Sequence, residues 1–490
     1  MTSLSTMHAP IETRLFINNE FVNAKSGKLF QVINPANKEV VAQVHEAQEE
    51  DVELAVDAAE QAFPAWADLS GFQRASYFYK LADLYERNLD HLAWLEAQSM
   101  GRPVSTYKEP IASASFLRYI AGKATDVQGE SSLQTANFMS VTLRQPYGVC
   151  AAIIPWNAPV TMLTFKAAPA LIAGNTLVLK SSENAPLTAL FIAKLFKEAG
   201  FPSGVFNVLS GFGQPCGQAL ASHMRIRKLS FTGSVIAGKA IKMAAAQSNL
   251  KIVTLELGGK SPLVVFDDAD VSKAAKAAAA SILLNSGQAC IASSRVYVHK
   301  NVAARFCDEL VKAIEEDGYN PVGNNHPLCP TTKRGPQATE KQYNSILEYI
   351  NKAKSSGTTV LTGGNPEPGN GFYIQPTVFY EVDDDDRLMR EEIFGPVQCV
   401  NTFKDEQEVL QKANDSEFGL YASVFTRDVY RALRFAKYFQ SGNVGVNVSS
   451  PWMTHDMPFG GIKQSGEGKE LGIYSVREWT ELKTVYFSMS

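Results

Sequence analysis

The 490-residue sequence is poor in cysteine, with six residues at positions 150, 216, 290, 307, 329 and 399. That irregular spacing makes no disulfide framework and points to a reducing compartment. No CxxC occurs, and the seven histidines form no HExxH or other paired-ligand pattern. No metal site is therefore expected. Excess basic charge is missing too: 46 Lys+Arg against 50 Asp+Glu give −4, with no basic block. This argues against nucleic acid or an anionic membrane as partner. No apolar run reaches the ~18 residues needed to span a bilayer. Met1 to Pro10 carries no apolar core, and no arginine precedes Arg14, so a cytoplasmic location is expected. The acidic run Asp383–Asp386 lacks the spaced ligands and glycine of a calcium loop and reads as a solvated loop. Nucleotide fingerprints are absent as well. Gly211-Phe-Gly213-Gln-Pro-Cys-Gly217 is one residue too long for GxGxxG. The stretch Gly233 to Lys239 fits most of a P-loop but ends in Ala240, where a magnesium ligand needs a hydroxyl. An ATPase is rejected on that missing ligand.

What is present is ordinary for a globular protein: 45% hydrophobic and 20% charged residues. The length calls for two or three domains. From Asp51 the apolar residues Val52, Ala55, Val56 and Ala59 share a helical face, which Asp51 can cap. Arg74–Met100 reads as two further helices and 109–124 as another. Strand-like runs at Val149–Ile154, Thr176–Leu179, Val205–Leu209, Lys228–Phe231 and Ile252–Leu255 alternate with helical stretches. That series predicts a parallel sheet covered by helices on both faces. Such sheets bind ligands beyond the carboxyl ends of their strands, where Asn157, Lys180, Gly211, Gly233 and Glu256 all fall. A second series has strands near Leu263–Phe266, Arg295–Val298, Val397–Phe403, Tyr421–Phe425 and Asn443–Val446. Residues 320–335 and 362–376 read as Pro/Gly-rich loops. Leu133–Arg144 and Thr480–Ser488 alternate like exposed strands that can pair with each other.

Two stretches stand out chemically. Asn285-Ser-Gly-Gln-Ala-Cys290 follows the alanine-rich helical run 274–284 and sets a thiol beside polar Ser286 and Gln288 and close to Gly287. Thr254-Leu-Glu256-Leu-Gly-Gly-Lys260 puts a carboxylate at the end of an apolar strand, before a Gly-Gly turn. Taken alone, Cys290 reads as an inert core thiol, and Glu256 as an exposed strand end. Together they supply the nucleophile and base of a covalent mechanism.

These two stretches resemble the signature sequences of the aldehyde dehydrogenase superfamily. The resemblance extends through Pro155-Trp-Asn157, Phe231-Thr-Gly-Ser234, Glu391-Glu-Ile-Phe-Gly-Pro396 and Pro458-Phe-Gly-Gly461, in the family's order and across nearly the whole chain. It implies an α/β fold: a Rossmann-like parallel-sheet NAD domain (1–122 and 147–258), a second α/β catalytic domain (259–457), and a small β oligomerisation element (123–146 and 470–490). It implies Cys290 as nucleophile, Glu256 as deacylating base, and Asn157 with the Cys290 backbone N–H as oxyanion hole. The bare alternative for Asn157 is a helix cap before Pro159. The cofactor residues it implies are Ile154, Pro155, Trp156, Lys180, Glu183, Gly213, Gly217, Phe231, Gly233, Ser234, Leu257, Glu392 and Phe394. Gly233 and Ser234 open a helix whose free N–H groups receive an anion. Lys180 and Glu183, which on their own read as a surface helix start, are implied ligands of the adenosine ribose. A carboxylate at Glu183 repels a 2′-phosphate, so NAD is expected over NADP. Val235-Ile236 stand where the family often has a Thr-Glu pair.

The implied aldehyde tunnel is lined by Ala158, Met162, Phe165, Ile291, Trp452 and Phe459, an apolar wall. The expected substrate is a medium apolar or aromatic aldehyde, oxidised to the free acid, since Glu256 supplies the base that acyl transfer to coenzyme A lacks. The expected assembly is a homodimer or homotetramer. A non-enzymatic binding protein on the same scaffold is the competing reading, and it would not need Cys290, Glu256 and Asn157 all intact.

Overall fold

The computed structural model describes residues 10–319, 326–451 and 454–489. Val149–Ile153, Thr176–Ser181, Phe206–Ser210, Lys228–Thr232 and Ile252–Glu256 form the parallel body of one sheet. In space they lie in the order third, second, first, fourth, fifth. The direction of winding therefore reverses between Val149–Ile153 and Lys228–Thr232, the point at which an open sheet leaves a crevice. All residues of the strands 149–153, 176–181, 206–210 and 228–232 are buried, which explains their near-continuous apolar runs. Leu15–Ile17 extends one edge antiparallel, and Gly466–Glu467 extends the other against Leu255 and Glu256.

The second sheet takes the strands Thr377–Tyr380, Val397–Phe403, Arg295–His299, Pro262–Val265, Tyr421–Phe425 and Asn443–Val446 in parallel, with Thr359–Thr362 antiparallel at the edge. Thr359–Thr362 and Thr377–Tyr380 flank the Gly-rich stretch at 363–371 and were not foreseen. Thr480–Ser488 pairs antiparallel with Phe138–Pro146 in unbroken register from Thr480↔Pro146 to Ser488↔Phe138. This strip leaves Leu143, Leu482, Tyr486 and Phe487 exposed.

Helices Gly71–Arg87, Leu89–Ser99 and Glu109–Gly122 follow the predicted stretches. Asp51 caps differently from expectation. The helix begins at Glu49 with Gln48 as N-cap, and Asp51 sits two residues further in, its Oδ2 accepting from the Gln48 N–H at 2.9 Å. That is the reciprocal half of a capping box. The acidic run is also structured: Asp386 accepts from the Leu388 N–H at 2.7 Å and opens a short helix. Among the described residues no helix is long and apolar enough to cross a membrane.

Candidate active site

The helix Val271–Leu283 ends in a turn in which Asn285, Ser286 and Gly287 all have positive φ (49°, 56° and 76°). A Cβ on Gly287 would lie 2.0 Å from the Gly395 carbonyl oxygen, so only glycine lets the loops touch. The polar residues that set this stretch apart are buried and bonded. Ser286 Oγ donates to the Gly335 carbonyl, and Gln288 Nε2 donates to the Asn285 and Pro336 carbonyls. Gln288 Oε1 accepts from the Ala338 N–H at 2.8 Å. Their role is to hold the half-buried Cys290 in a fixed loop.

Asn157 follows the first parallel strand. The next helix starts at Pro159 with Ala158 at its cap and no side-chain capping bond, so Asn157 is not a helix cap. Its Nδ2 instead donates to the Gln288 carbonyl at 3.0 Å, and its own carbonyl accepts from Asn285 Nδ2 at 3.0 Å. The sheet brings Asn157 and Cys290, far apart in sequence, to one place.

Glu256 ends the fifth parallel strand, buried, with no regular hydrogen-bond partner on either carboxylate oxygen. Burial, reinforced by the nearby Glu470 charge, pushes its pKa up to about 8. Burial and the adjacent Glu256 hold the Cys290 thiol well above its ordinary range. The thiol therefore keeps its proton at rest, beside the Glu256 carboxyl. Close approach is built into the Gly-Gly turn. A Cβ on Gly259 would lie 2.5 Å from the Cys290 carbonyl oxygen, and one on Gly258 would lie 2.1 Å from Glu392 Oε2. The Gly259 N–H donates to Glu392 Oε1 at 2.9 Å.

Two cavities meet at the thiol. One, of about 270 Å³, is lined by Pro155, Trp156, Thr232, Gly233, Ser234, Glu256, Leu257, Gly258, Glu392 and Phe394, with Gln342 and Tyr349 from the helix Glu340–Ser355. The Trp156 and Phe394 rings meet edge to face at 5.4 Å. The other, of about 130 Å³, is lined by Ala158, Met162, Phe165, Leu284, Ile291, Phe459 and Leu471. Cys290, Asn157 and Met162 belong to both. Trp452 lies outside the described residues. The chain matches the aldehyde dehydrogenase family over residues 21–485. The chain belongs to that family. The aldehyde dehydrogenase of Emericella nidulans is 46% identical over 97% of this chain and 95% of its own length. Human aldehyde dehydrogenase 1A1 is 45% identical over 98% and 95%. Among solved structures, the NAD+ complex of a Bacillus cereus aldehyde dehydrogenase has a TM-score of 0.94 at 41% identity, covering 98% of this chain and 97% of that one.

Of the other residues singled out for this aldehyde dehydrogenase, Ile154, Lys180, Glu183, Gly213, Gly217 and Phe231 do not line that cleft. Lys180 Nζ donates to the Ser181 carbonyl at 2.9 Å and lies 4.0 Å from Glu183 Oε2. A Cβ on Gly217 would lie 3.8 Å from the Lys180 side chain, so Lys180, Glu183 and Gly217 form a group, with Gly213 at the start of the same exposed turn. Ile154 is buried and donates its N–H to the Lys180 carbonyl. The Phe231 ring lies under Gly233, where an added Cβ would strike it at 2.5 Å. Ser234 caps the helix Val235–Gln247 by accepting from the Ala237 N–H at 3.3 Å. The P-loop look-alike has a structural cause: Gly238 lets its helix approach Leu257, and Lys239 reaches away to Gln464.

Sequence reasoning missed two polar groups here. Lys166, fully buried, donates to Ser230 Oγ at 3.0 Å and to Glu470 Oε1 at 2.5 Å, on the side of Glu256. The expected apolar tunnel wall also carries Arg102, Glu109, Thr161 and Thr454. Arg102 and Glu109 form an ion pair at 2.5 Å, so the added carboxylate is neutralised where it stands. No pattern in sequence marks either group: Glu470 is 304 residues from Lys166, and Arg102 and Glu109, though only seven apart, show no sign of burial in their own segment.

Proposed function

We propose that this aldehyde dehydrogenase oxidises a medium apolar or aromatic aldehyde to its acid with NAD, through a covalent bond to Cys290. The observation that carries this reading is the meeting of the two cavities at Cys290, with Asn157 beside it and Glu256 on the wall of one of them. The larger cleft suits a dinucleotide. Gly233 admits a ligand close to the backbone, the helix opened by Ser234 presents free N–H groups to a diphosphate, and Lys180 with Glu183 suits ribose hydroxyls. Glu392 and Phe394 hold the end nearest the thiol. Glu183 disfavours a 2′-phosphate, so NAD is preferred over NADP. Solved relatives were crystallised with NAD+, among them an indole-3-acetaldehyde dehydrogenase with a TM-score of 0.95 at 37% identity.

The thiol proton passes to Glu256 as the sulfur bonds to the carbonyl carbon and the C=O electron pair moves to oxygen. The Asn157 amide and the Cys290 N–H receive that alkoxide, each such donor being worth about 3 kcal/mol. Bound NAD supplies the acceptor for the hydride lost from the same carbon. Cys290 is left holding the acyl group as a thioester. Glu256 gives the thiol's proton up to solvent and then takes a proton from water, whose oxygen attacks the thioester carbonyl; as the acid leaves, the C–S bond breaks and Glu256 returns that proton to the sulfur. The apolar wall of Ala158, Met162, Phe165, Ile291 and Phe459 favours substrates without charge.

The exposed strip formed by Phe138–Pro146 and Thr480–Ser488 supports a homodimer or homotetramer. The family's three-part division, with boundaries at 1–122 and 147–258, 259–457, and 123–146 with 470–490, accompanies that reading. Free cysteines throughout fit a cytoplasmic location, which cell fractionation tests.

The test of the chemistry is NADH formation over an aldehyde panel. Cys290→Ala should be inactive, and Glu256→Gln should give one burst of NADH and stall. A kcat/KM for a charged aldehyde above that for benzaldehyde and hexanal would overturn the substrate assignment. Absence of turnover with every aldehyde, with NAD still bound, would favour a binding protein.

A further inference from the structure

Among the described residues Arg102 is the one guanidinium on the tunnel wall, and one of its bonds runs to Asn157. Its side chain is 12% exposed and that of Glu109 is 4% exposed. Arg102 Nη1 donates to Glu109 Oε1 at 2.5 Å and to the Asn157 carbonyl at 3.2 Å. The other oxygen of Glu109 accepts from Thr161 Oγ1 at 3.0 Å, which ties the pair to the helix Pro159–Ile172 that follows Asn157. The Asn157 carbonyl thus takes one donor from Arg102 and one from Asn285. Its peptide is held by the tunnel wall and by the cysteine loop.

The loop that carries Arg102 is itself keyed to the cysteine loop. A Cβ on Gly101 would lie 2.5 Å from the Pro336 ring, and one on Gly335 would lie 2.1 Å from the Gly101 carbonyl oxygen. Gly335 and Pro336 are the carbonyls that Ser286 and Gln288 grip. The Arg102 guanidinium also lies over the Tyr107 ring, 5.3 Å from its centre. A buried guanidinium is costly unless its bonds are well used, and here one goes to Glu109 and one to the backbone of Asn157, which lines both cavities together with Cys290.

We propose that Arg102 is a positioning residue. Anchored on Glu109, it fixes the Asn157 peptide and so aims the second hydrogen of the Asn157 amide, the first being held by the Gln288 carbonyl, at the alkoxide. This rests on the reading of Asn157 as oxyanion donor. A misaimed donor loses part of its effect, and complete removal of one costs about 10²–10³ in rate.

The test compares the rate of the NADH burst, the aldehyde KM and the NAD dissociation constant in wild type, R102M, R102M/E109Q and N157A. The double variant removes both charges and leaves none unpaired. Both Arg102 variants are expected to slow the burst about tenfold, a fraction of the full oxyanion effect, with aldehyde KM and NAD affinity within about twofold of wild type. A merely structural role would instead change KM, NAD affinity or thermal stability. A burst in R102M/E109Q equal to wild type overturns the proposal, since the loss in R102M then came from the orphaned Glu109. A loss confined to KM overturns it as well. If R102M does not fold, the double variant decides, and R102Q takes its place if that too fails. A wild-type burst in N157A sinks the oxyanion reading and the clamp together. A slow N157A beside normal Arg102 variants sinks the clamp alone.

Discussion

Gly259→Ala is a one-carbon test of how the thiol is placed. The new Cβ would lie 2.5 Å from the Cys290 carbonyl oxygen, and its other nearest neighbours stand at 3.4 Å. Ordinary contact begins near 3.4 Å, so the two backbones must separate by the difference, 3.4 − 2.5 = 0.9 Å. Neither partner is a flexible side-chain end. The Gly259 N–H is bonded to Glu392, and the cysteine loop is held by Ser286 and Gln288. A shift of about 1 Å at a reacting group costs on the order of 10²-fold in rate. The expected result is a fall of about that size in the NADH burst rate, with a stability loss of about 1–3 kcal/mol from overpacking. Gly258→Ala is the comparison. The nearest atoms to its Cβ are the carboxylate of Glu392, at 2.1 Å, and moving that carboxylate gives up its bond to the Gly259 N–H. It should raise the KM for NAD and slow the burst less than Gly259→Ala does, since no backbone atom is among its nearest neighbours. A Gly259→Ala enzyme with a wild-type burst rate would refute the idea that this backbone contact sets the thiol.

Glu256 must be ionised to accept a proton, so deacylation should rise with pH through an inflection near 8. The Glu470 charge raises the Glu256 pKa, so Glu470→Gln should move that inflection to lower pH; stopped-flow decay of the acyl-enzyme across a pH series reads both. Glu183→Ser should raise kcat/KM with NADP relative to NAD by about tenfold, the usual scale of one removed charge repulsion of about 1.4 kcal/mol, and an unchanged ratio would dismiss Glu183 as the discriminating group. Truncation after Trp479 leaves Phe138–Pro146 without its partner strand. Light scattering should then report a smaller particle, and an unchanged mass would remove the strip from the assembly.

The features legible in sequence are those with a local cause. The buried parallel strands declare themselves because both faces are covered, so Val149–Ile153 and Thr176–Ser181 read as apolar runs ended by polar residues. Cys290, Glu256 and Asn157 are visible because each breaks such a pattern. Asp51 shows the limit of local reading: its role as a cap is evident, but whether it caps from the first position or the third depends on where Gln48 leaves the helix. Thr377–Tyr380 lacks flanking helical signal and takes its place from Val397–Phe403 beside it. Arg102, Glu109, Lys166 and Glu470 look like surface charges in their own segments. Only the fold reveals that they are buried in pairs: Glu470 comes 304 residues after Lys166, and Arg102 and Glu109, seven residues apart, are buried by Asn157 and Thr161 from another segment.

The two cavities share only Asn157, Met162 and Cys290. The thiol is thus a doorstep between two rooms whose walls are otherwise built from different residues. A substitution on one wall, away from these three side chains, can reshape one room and leave the lining of the other as it is.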